Sequence, residues 1–339
     1  MGILDYFKPK EATESPPVAN STQYYPQGFN EYIGQKEAVQ RLNIAIRASL
    51  IEGRRLGDIL LYGYPGTGKT ALAQIIALEL NVPLKAVIGG AIESSMDLAQ
   101  IIAVVPDYSL VFIDEIHAMP KKVQELLYTA FDSGELDITN ENGQVRLKLP
   151  KITLLGATTE IGRLNKPLIN RFQNVITLQD YSVEDMKAII EQSIAKLGRR
   201  VEIMPEAIVA IAARARYTPR TANNLLGNVL DYCVAHHKTT CAQADVLAMS
   251  EIMGIHENGI TNKDINLLKV INELFGNRPV GLKTLSGALM EDEKTVEQIY
   301  EPFLLRKGYL IKTARGRQVT EAGLIVLTRL SSYGKLETA

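Results

Sequence analysis

Unbroken apolar runs punctuate the first half of the chain at Asp58–Gly63, Leu84–Ile88, Leu110–Asp114, Ile152–Thr158 and Val175–Leu178. Runs that do not alternate with polar residues predict strands covered on both faces. The stretches between them carry helical spacing, TALAQIIALEL being one, so residues 24–181 read as an α/β domain around a parallel sheet. One interval breaks the pattern. Leu136–Asn140 and Gln144–Leu149 alternate around Asn142-Gly143, which predicts a β-hairpin projecting from the sheet just before the fourth strand. Val145, Leu147 and Leu149 then share one side of it, and Arg146 and Lys148 the other.

The second half loses the strand pattern. Across 182–259, in stretches such as IVAIAARA and ANNLLGNVLDYCVA, aliphatic residues recur at helical spacing without clear strands, as in a small helical bundle. Residues 260–332 open with another helical pattern, NKDINLLKVINELF, and close with two short strand-like segments around Arg315-Gly316-Arg317. Helices followed by a two-stranded turn of this kind predict a winged helix. Residues 1–23 are too polar and proline-rich to order themselves and read as a disordered tail. Within them the apolar group Ile3–Phe7 reads as a frayed terminus or a docking peptide. Residues 333–339 read as a short C-terminal tail.

Composition narrows the class without choosing a function. The 339 residues are 46% apolar and 22% charged, without tryptophan, so the expectation is a soluble protein with an aliphatic core. No apolar run approaches the roughly 20 residues of a membrane span, and the opening MGILDYFKPK lacks a signal peptide's apolar stretch. The expected location is therefore the cytoplasm. Cys233 and Cys241 form no CxxC and read as small buried hydrophobes; adjacent His236 and His237 diverge on a helix and make a poor metal pair. The net charge is −1, so bulk charge attracts no polyanion, yet Arg306, Lys307, Lys312, Arg315 and Arg317 follow one another without an intervening acid.

The chemistry concentrates at the ends of two predicted strands. Gly63-Tyr64-Pro65-Gly66-Thr67-Gly68-Lys69-Thr70 fits GxxxxGK[ST], with an apolar strand before it and a helix after it. Gly63, Gly66 and Gly68, with Thr67, allow backbone N–H groups to wrap phosphates at a helix N-terminus. Lys69 is then placed for the outer phosphates and Thr70 for Mg²⁺. Asp114 and Glu115 end a strand of four apolar residues, where Asp114 can hold Mg²⁺ and Glu115 can polarise a water. Taken alone, the same two acids also suit a helix start. Thr159, at the end of the fourth strand, with Arg171 and Arg220, offers further donors suited to a phosphoryl transition state, although each arginine taken alone reads equally as a surface or ion-paired residue.

With these motifs in place the chain resembles the RuvB family of AAA+ ATPases, the motors of bacterial Holliday-junction branch migration. The likeness runs from about Phe29 to Leu327. It is carried by Glu31–Gln35, the phosphate loop, Phe112–His117, Leu155–Thr159, Asn170-Arg171-Phe172, Thr218-Pro219-Arg220, Pro279–Leu282, Tyr300–Leu304 and Arg315-Gly316-Arg317. The resemblance implies Thr159 as sensor 1, Arg171 as an arginine finger acting on a neighbouring subunit's ATP, and Arg220 as sensor 2. It also implies Tyr32, Ile33, Tyr181 and Pro219 around the adenine, a hexameric ring on duplex or four-way junction DNA, and the adaptor RuvA.

Three positions depart from the family pattern. Tyr25-Pro26 stands where Arg-Pro is usual, Ala71 follows the phosphate loop in place of a second Thr, and the hairpin tip Thr139–Gln144 is polar. In the family that tip docks RuvA through apolar contacts, so the adaptor is open between RuvA and another protein. The four acids Asp292, Glu293, Glu297 and Glu301 argue against the helix that carries them as a groove reader. That leaves the wing residues Lys312, Arg315 and Arg317 as the expected DNA contacts, or else a solvated basic turn. The main reading is a duplex-translocating ATPase that uses ATP and Mg²⁺. A second reading is an ATP-switched loader or remodeller acting on a protein partner on DNA.

Overall fold

The computed structural model describes residues 25–140, 143–198 and 201–336. The tail 1–23, its Ile3–Phe7 peptide and residues 141–142 of the hairpin tip lie outside the described residues, as do the side chains of 138–145. Five parallel strands form one sheet in the order β2-β3-β6-β1-β7. They are β1 (Ile59–Tyr62), β2 (Leu84–Ile88), β3 (Leu110–Asp114), β6 (Thr153–Thr158) and β7 (Asn174–Thr177), matching the predicted runs. The helices around them are α1 (Lys36–Glu52), α2 (Lys69–Leu80), α3 (Ser95–Ala103), α4 (Lys121–Ser133) and α5 (Lys166–Arg171).

Burial explains why the central runs are unbroken. All six residues of β6 and the first four of β3 are buried, because apolar layers cover both sheet faces. One layer contains Leu60, Val111, Ile113 and Leu154; the other contains Ile59, Leu61, Ile75, Ile76 and Phe112. Each fully buried side chain of this size contributes roughly 1.5–3 kcal/mol relative to exposure. The edge strand β2 departs from the expectation: Lys85, Ala86 and Ile88 are exposed, since among the described residues β2 pairs only with β3. Gly156 in β6 is a close-approach position, where a Cβ would crowd Ile116 and Phe172 at 3.1 Å.

The hairpin is present as β4 (Glu135–Asn140) and β5 (Gly143–Lys148), but its register is not the expected one. Asn140 pairs with Gly143, so Gly143 begins the return strand instead of forming the turn. Leu136, Leu147 and Leu149 pack on the core, while Arg146 faces out and pairs with Asp137 and Glu135.

The remaining helices are α6 (Val183–Leu197), α7 (Pro205–Arg214), α8 (Pro219–Ala235), α9 (Gln243–Ile252), α10 (Asn262–Lys269), α11 (Leu282–Leu289), α12 (Glu293–Thr295), α13 (Glu301–Arg306) and α14 (Glu321–Leu336). Ser182 with Asp185, and Thr261 with Asp264, form reciprocal caps that fix the starts of α6 and α10. The segment read as strandless holds a two-residue parallel pair, β8 (Glu202–Ile203) with β9 (Thr240–Cys241). Helix α14 continues to Leu336, four residues into the stretch expected to be a tail.

Two compact units emerge. One takes the described residues up to 198 together with Tyr217–Asn224; the other takes 201–216 and Leu225 onward. The second contains the winged helix. Its strands β10 (Leu310–Thr313) and β11 (Gly316–Val319) are antiparallel, and Val280 adds a bridge to Arg317. Ile271, Leu285, Val296, Phe303, Leu304, Leu310 and Val319 fill its core. Gly316 has φ 134°, and any Cβ there would collide with the Val280 carbonyl. That glycine therefore serves the wing's own packing, not only an approach to a ligand.

Candidate active site

The phosphate loop leaves β1 at Gly63 and enters α2 at Lys69. Gly66 (φ 81°) and Gly68 (φ 96°) take left-handed conformations that let the loop reverse. At Gly68 a Cβ would also lie 2.6 Å from the Tyr32 hydroxyl, so the loop and the aromatic wall above it leave no room for a side chain. Lys69 is buried, and its ammonium donates to the carbonyls of Gly63 (2.8 Å) and Tyr64 (3.1 Å). Burial lowers its pKa, while nearby Glu115 and Asp114 oppose that shift. Thr67 is fully buried, with its hydroxyl turned inward to the Tyr64 carbonyl.

Asp114 and Glu115 emerge at the carboxyl end of β3 beside this loop. Asp114 accepts the Glu115 N–H at 3.0 Å. Glu115 has φ 48° and ψ 47°, a left-handed backbone for a residue that carries a side chain. Its Oε2 accepts the Thr159 hydroxyl at 3.0 Å and lies 3.1 Å from His117 Nδ1. The buried His117 ring also touches Thr158 Oγ1 (2.9 Å) and Glu160 Oε1 (3.3 Å). No motif marks His117 as a site residue, although it stands two positions after Glu115 in the Phe112–His117 run. Its role depends on β3 and β6 being neighbours, which the residue string does not state.

A pocket opens over the loop within the first unit. Tyr32, Ile33, Gly66, Gly68, Lys69, Thr70, Ala71, Asp114, Glu115, Tyr181, Pro219 and Arg220 line it, as do Tyr25 and Pro26. Ile189, Gln192, Ser193 and Asn223 also line it and had no distinguishing sequence signal. Tyr181 donates its hydroxyl toward Tyr32 Oη (3.1 Å) and the Thr67 carbonyl (3.2 Å), and burial raises both phenol pKa values. The two rings thus reach the phosphate loop with their polar ends. Gly63 and Thr67 shape the loop from behind and Thr159 acts on Glu115, none of the three facing the pocket. Arg171, at the exposed end of α5, does not line it.

The predicted DNA residues sit on the wing with unequal surroundings. Arg317 is only 13% exposed and donates through Nε to Glu301 at 2.6 Å. Lys312 lies 2.8 Å from the other oxygen of Glu301 and 3.4 Å from Glu297. Arg315 is exposed and has no carboxylate partner among the described residues. Glu301 is fully buried and Asp292 caps α12 through the Thr295 N–H. The four carboxylates are therefore not equally placed: Glu301 is buried away from any groove, Asp292 is exposed, and wing cations offset Glu297.

In the second unit Cys233, Cys241 and Asp245 gather within 4.8 Å of one another. The Asp245 carboxylate is already engaged by Lys238 and the Ala242 N–H, and burial pushes the Cys241 thiol up to about 12. Both thiols are free and buried.

Family models match in chain order: the Holliday junction DNA helicase RuvB P-loop domain over residues 24–178, the RuvB AAA lid domain over 181–253 and the RuvB C-terminal winged helix domain over 257–328. The chain belongs to the RuvB family. It is 38% identical over 306 residues to the Holliday junction branch migration complex subunit RuvB of Lactobacillus johnsonii, covering 89% of this chain and 90% of the relative. Against the same-named subunit of Fusobacterium nucleatum the identity is 40% over 299 residues, covering 87% and 90%. Among solved structures, the Thermotoga maritima RuvB Holliday junction branch migration motor superposes with a TM-score of 0.81 at 35% identity, over 90% of this chain and 98% of that one. The AAA+ architecture of P-loop domain, lid and winged helix is thus that of RuvB proteins. The loop residues Lys69 and Thr70, the acids Asp114 and Glu115, and Thr159 occupy a RuvB P-loop domain.

Proposed function

We propose that this chain is an ATP-hydrolysing DNA motor that moves duplex DNA and drives branch migration of Holliday junctions. The observation that carries this reading is the convergence of Lys69, Asp114, Glu115 and Thr159 at the carboxyl edge of the sheet, in a chain that also bears a RuvB winged helix. The oxygen donors Thr70 and Asp114 suit Mg²⁺, a hard cation, and the Lys69 ammonium at the N-terminus of α2 suits a phosphate. Mg²⁺, when bound, neutralises charge on the outer phosphates of ATP.

The protein's own groups do the rest. Lys69 exchanges its loop carbonyls for phosphate oxygens. Thr159 orients Glu115, and Glu115 polarises the attacking water. Arg220 contacts the nucleotide from α8, with Pro219, Ile33, Tyr32 and Tyr181 around the base; Tyr25 supplies a ring at the same wall. Arg171 acts on the site of a neighbouring subunit, which requires an oligomer, read here as a hexameric ring. Arg315 meets backbone phosphates, with Lys312 and Arg317 beside it. The domains are read as 24–181, 182–259 and 260–332. Among the described residues no helix is long and apolar enough to cross a membrane, which accords with a cytoplasmic location. The adaptor is RuvA or another protein that grips the hairpin.

The test is turnover of ATP with and without linear duplex, alongside movement of a synthetic four-way junction. Duplex-stimulated turnover and junction movement, both abolished in Lys69→Ala, are expected. ATP turnover without junction movement, with or without RuvA, combined with tight binding of a protein partner through residues 1–10, would favour the loader reading.

A further inference from the structure

Just ahead of Arg220 the backbone is strained. Arg216 (φ 50°) and Tyr217 (φ 64°) are consecutive residues with side chains in the left-handed region, which disfavours every residue but glycine. Two such residues in succession persist only where the surroundings hold them. For Arg216 those surroundings are specific. Its guanidinium meets both oxygens of Asp264, at 3.1 and 3.4 Å, and stacks 3.8 Å above the Phe303 ring. Its carbonyl accepts from Arg306 Nη2 at 3.2 Å. Gly259 abuts it, since a Cβ there would lie 2.8 Å from Arg216 Cγ. Asp264 is buried and caps α10; Phe303 and Arg306 lie on α13. The winged helix therefore grips the last residue before Tyr217, where the chain passes into the unit that contains the ATP pocket.

Helix α13 also holds the wing. Glu301, two residues before Phe303, is the carboxylate shared by Arg317 and Lys312. A continuous set of contacts thus runs from wing cations to Glu301, two residues along α13 to Phe303, and to Arg216, from which four residues of chain lead to Arg220. Lys312 is 42% exposed. A DNA phosphate can draw it from Glu301 while Arg317 stays in place, changing the load on α13.

We propose that Arg216 is a positioning residue that couples duplex DNA on the winged helix to Arg220 at the ATP site. The planar fork and the stack are both needed: a lysine could keep the charge, but neither contact geometry. Coupling of this kind is reciprocal, so nucleotide must change duplex affinity through the same residue.

This inference rests on the motor reading above. Its test uses the full chain as wild type, Arg216→Lys and Phe303→Leu. ATP turnover is measured with and without linear duplex, and duplex affinity by anisotropy with and without a non-hydrolysable ATP analogue. In both variants the ratio of duplex-stimulated to DNA-free kcat is expected to fall at least fivefold. Duplex affinity without nucleotide stays within twofold of wild type, and the analogue no longer shifts it. A variant that keeps the wild-type ratio overturns the coupling. So does an equal loss of both rates, which marks a merely structural role. Should Arg216→Lys fail to fold, Phe303→Leu decides, because it retains apolar volume and the Arg216–Asp264 pair. Wild type without duplex stimulation overturns the motor reading as well, whereas stimulation undiminished in the variants overturns the coupling alone.

Discussion

Glu115 carries a left-handed backbone that costs roughly 1–3 kcal/mol in a residue other than glycine. The surrounding contacts explain how it persists: Thr159 and His117 both reach Oε2, and His117 is itself fixed by Thr158 and Glu160. The side chain expected to polarise water is thus held by two groups from two different strand ends. Hydrogen bonds to a charged group are worth about 1.5–3 kcal/mol, so removing one at the reacting carboxylate is expected to lower kcat roughly 10–100-fold. His117→Ala should show this loss with ATP affinity, read by a fluorescent analogue, changed less than threefold. An unchanged kcat would mean that the ring only fills space beside β6.

At the scale of elements the wing separates two kinds of cation. Arg317 faces a carboxylate that is fully buried, so Arg317→Ala leaves Glu301 with Lys312 alone. Breaking a buried pair in this way costs on the order of 3 kcal/mol, which a thermal melt of the full chain would register as a lower transition for the winged unit. Arg315→Ala removes an exposed charge, so stability should hold within about 0.5 kcal/mol while duplex affinity falls and its salt slope drops by about one. If instead Arg317→Ala melts like wild type, the ion pair contributes nothing and both arginines belong to the DNA surface. Nothing in the residue string distinguishes the two, since both flank the same glycine. Only the pairing of Lys312 with Arg317 across the turn, and the packing of β10 against α13, brings Glu301 within reach from sixteen positions away. The central strands and the phosphate loop are local patterns, and they stand where the apolar runs predicted. The exposed face of β2, the β8–β9 pair, the hairpin register and the place of His117 all depend on which segments become neighbours. In β2 the apolar run gave no warning that Ile88 would be exposed, because an edge position is a property of the sheet and not of the strand.

At the scale of the whole molecule the decisive question is where Arg171 acts. It ends α5 at an exposed position, away from the residues lining its own pocket, and the family reading assigns it to a neighbour. Loss of activity in Arg171→Ala alone cannot separate the two arrangements, because a finger in either place is worth about 10³–10⁵ in rate. Mixing two inactive proteins can. Lys69→Ala lacks the phosphate contact but keeps Arg171; Arg171→Ala keeps Lys69 but lacks the finger. If the finger works in trans, a ring of both contains sites in which an intact Lys69 faces an intact Arg171 from next door. At equal amounts and random order such a site needs the right subunit on each side, so about a quarter of sites are whole. The readout is phosphate released in a single turnover, so that no site must wait for its neighbours to fire. Recovery near a quarter of the wild-type burst is expected in mixed rings, and none in either parent. If assembly of mixed rings is demonstrated and no burst returns, Arg171 serves its own subunit or no site at all, and the ring ceases to be a requirement of the chemistry.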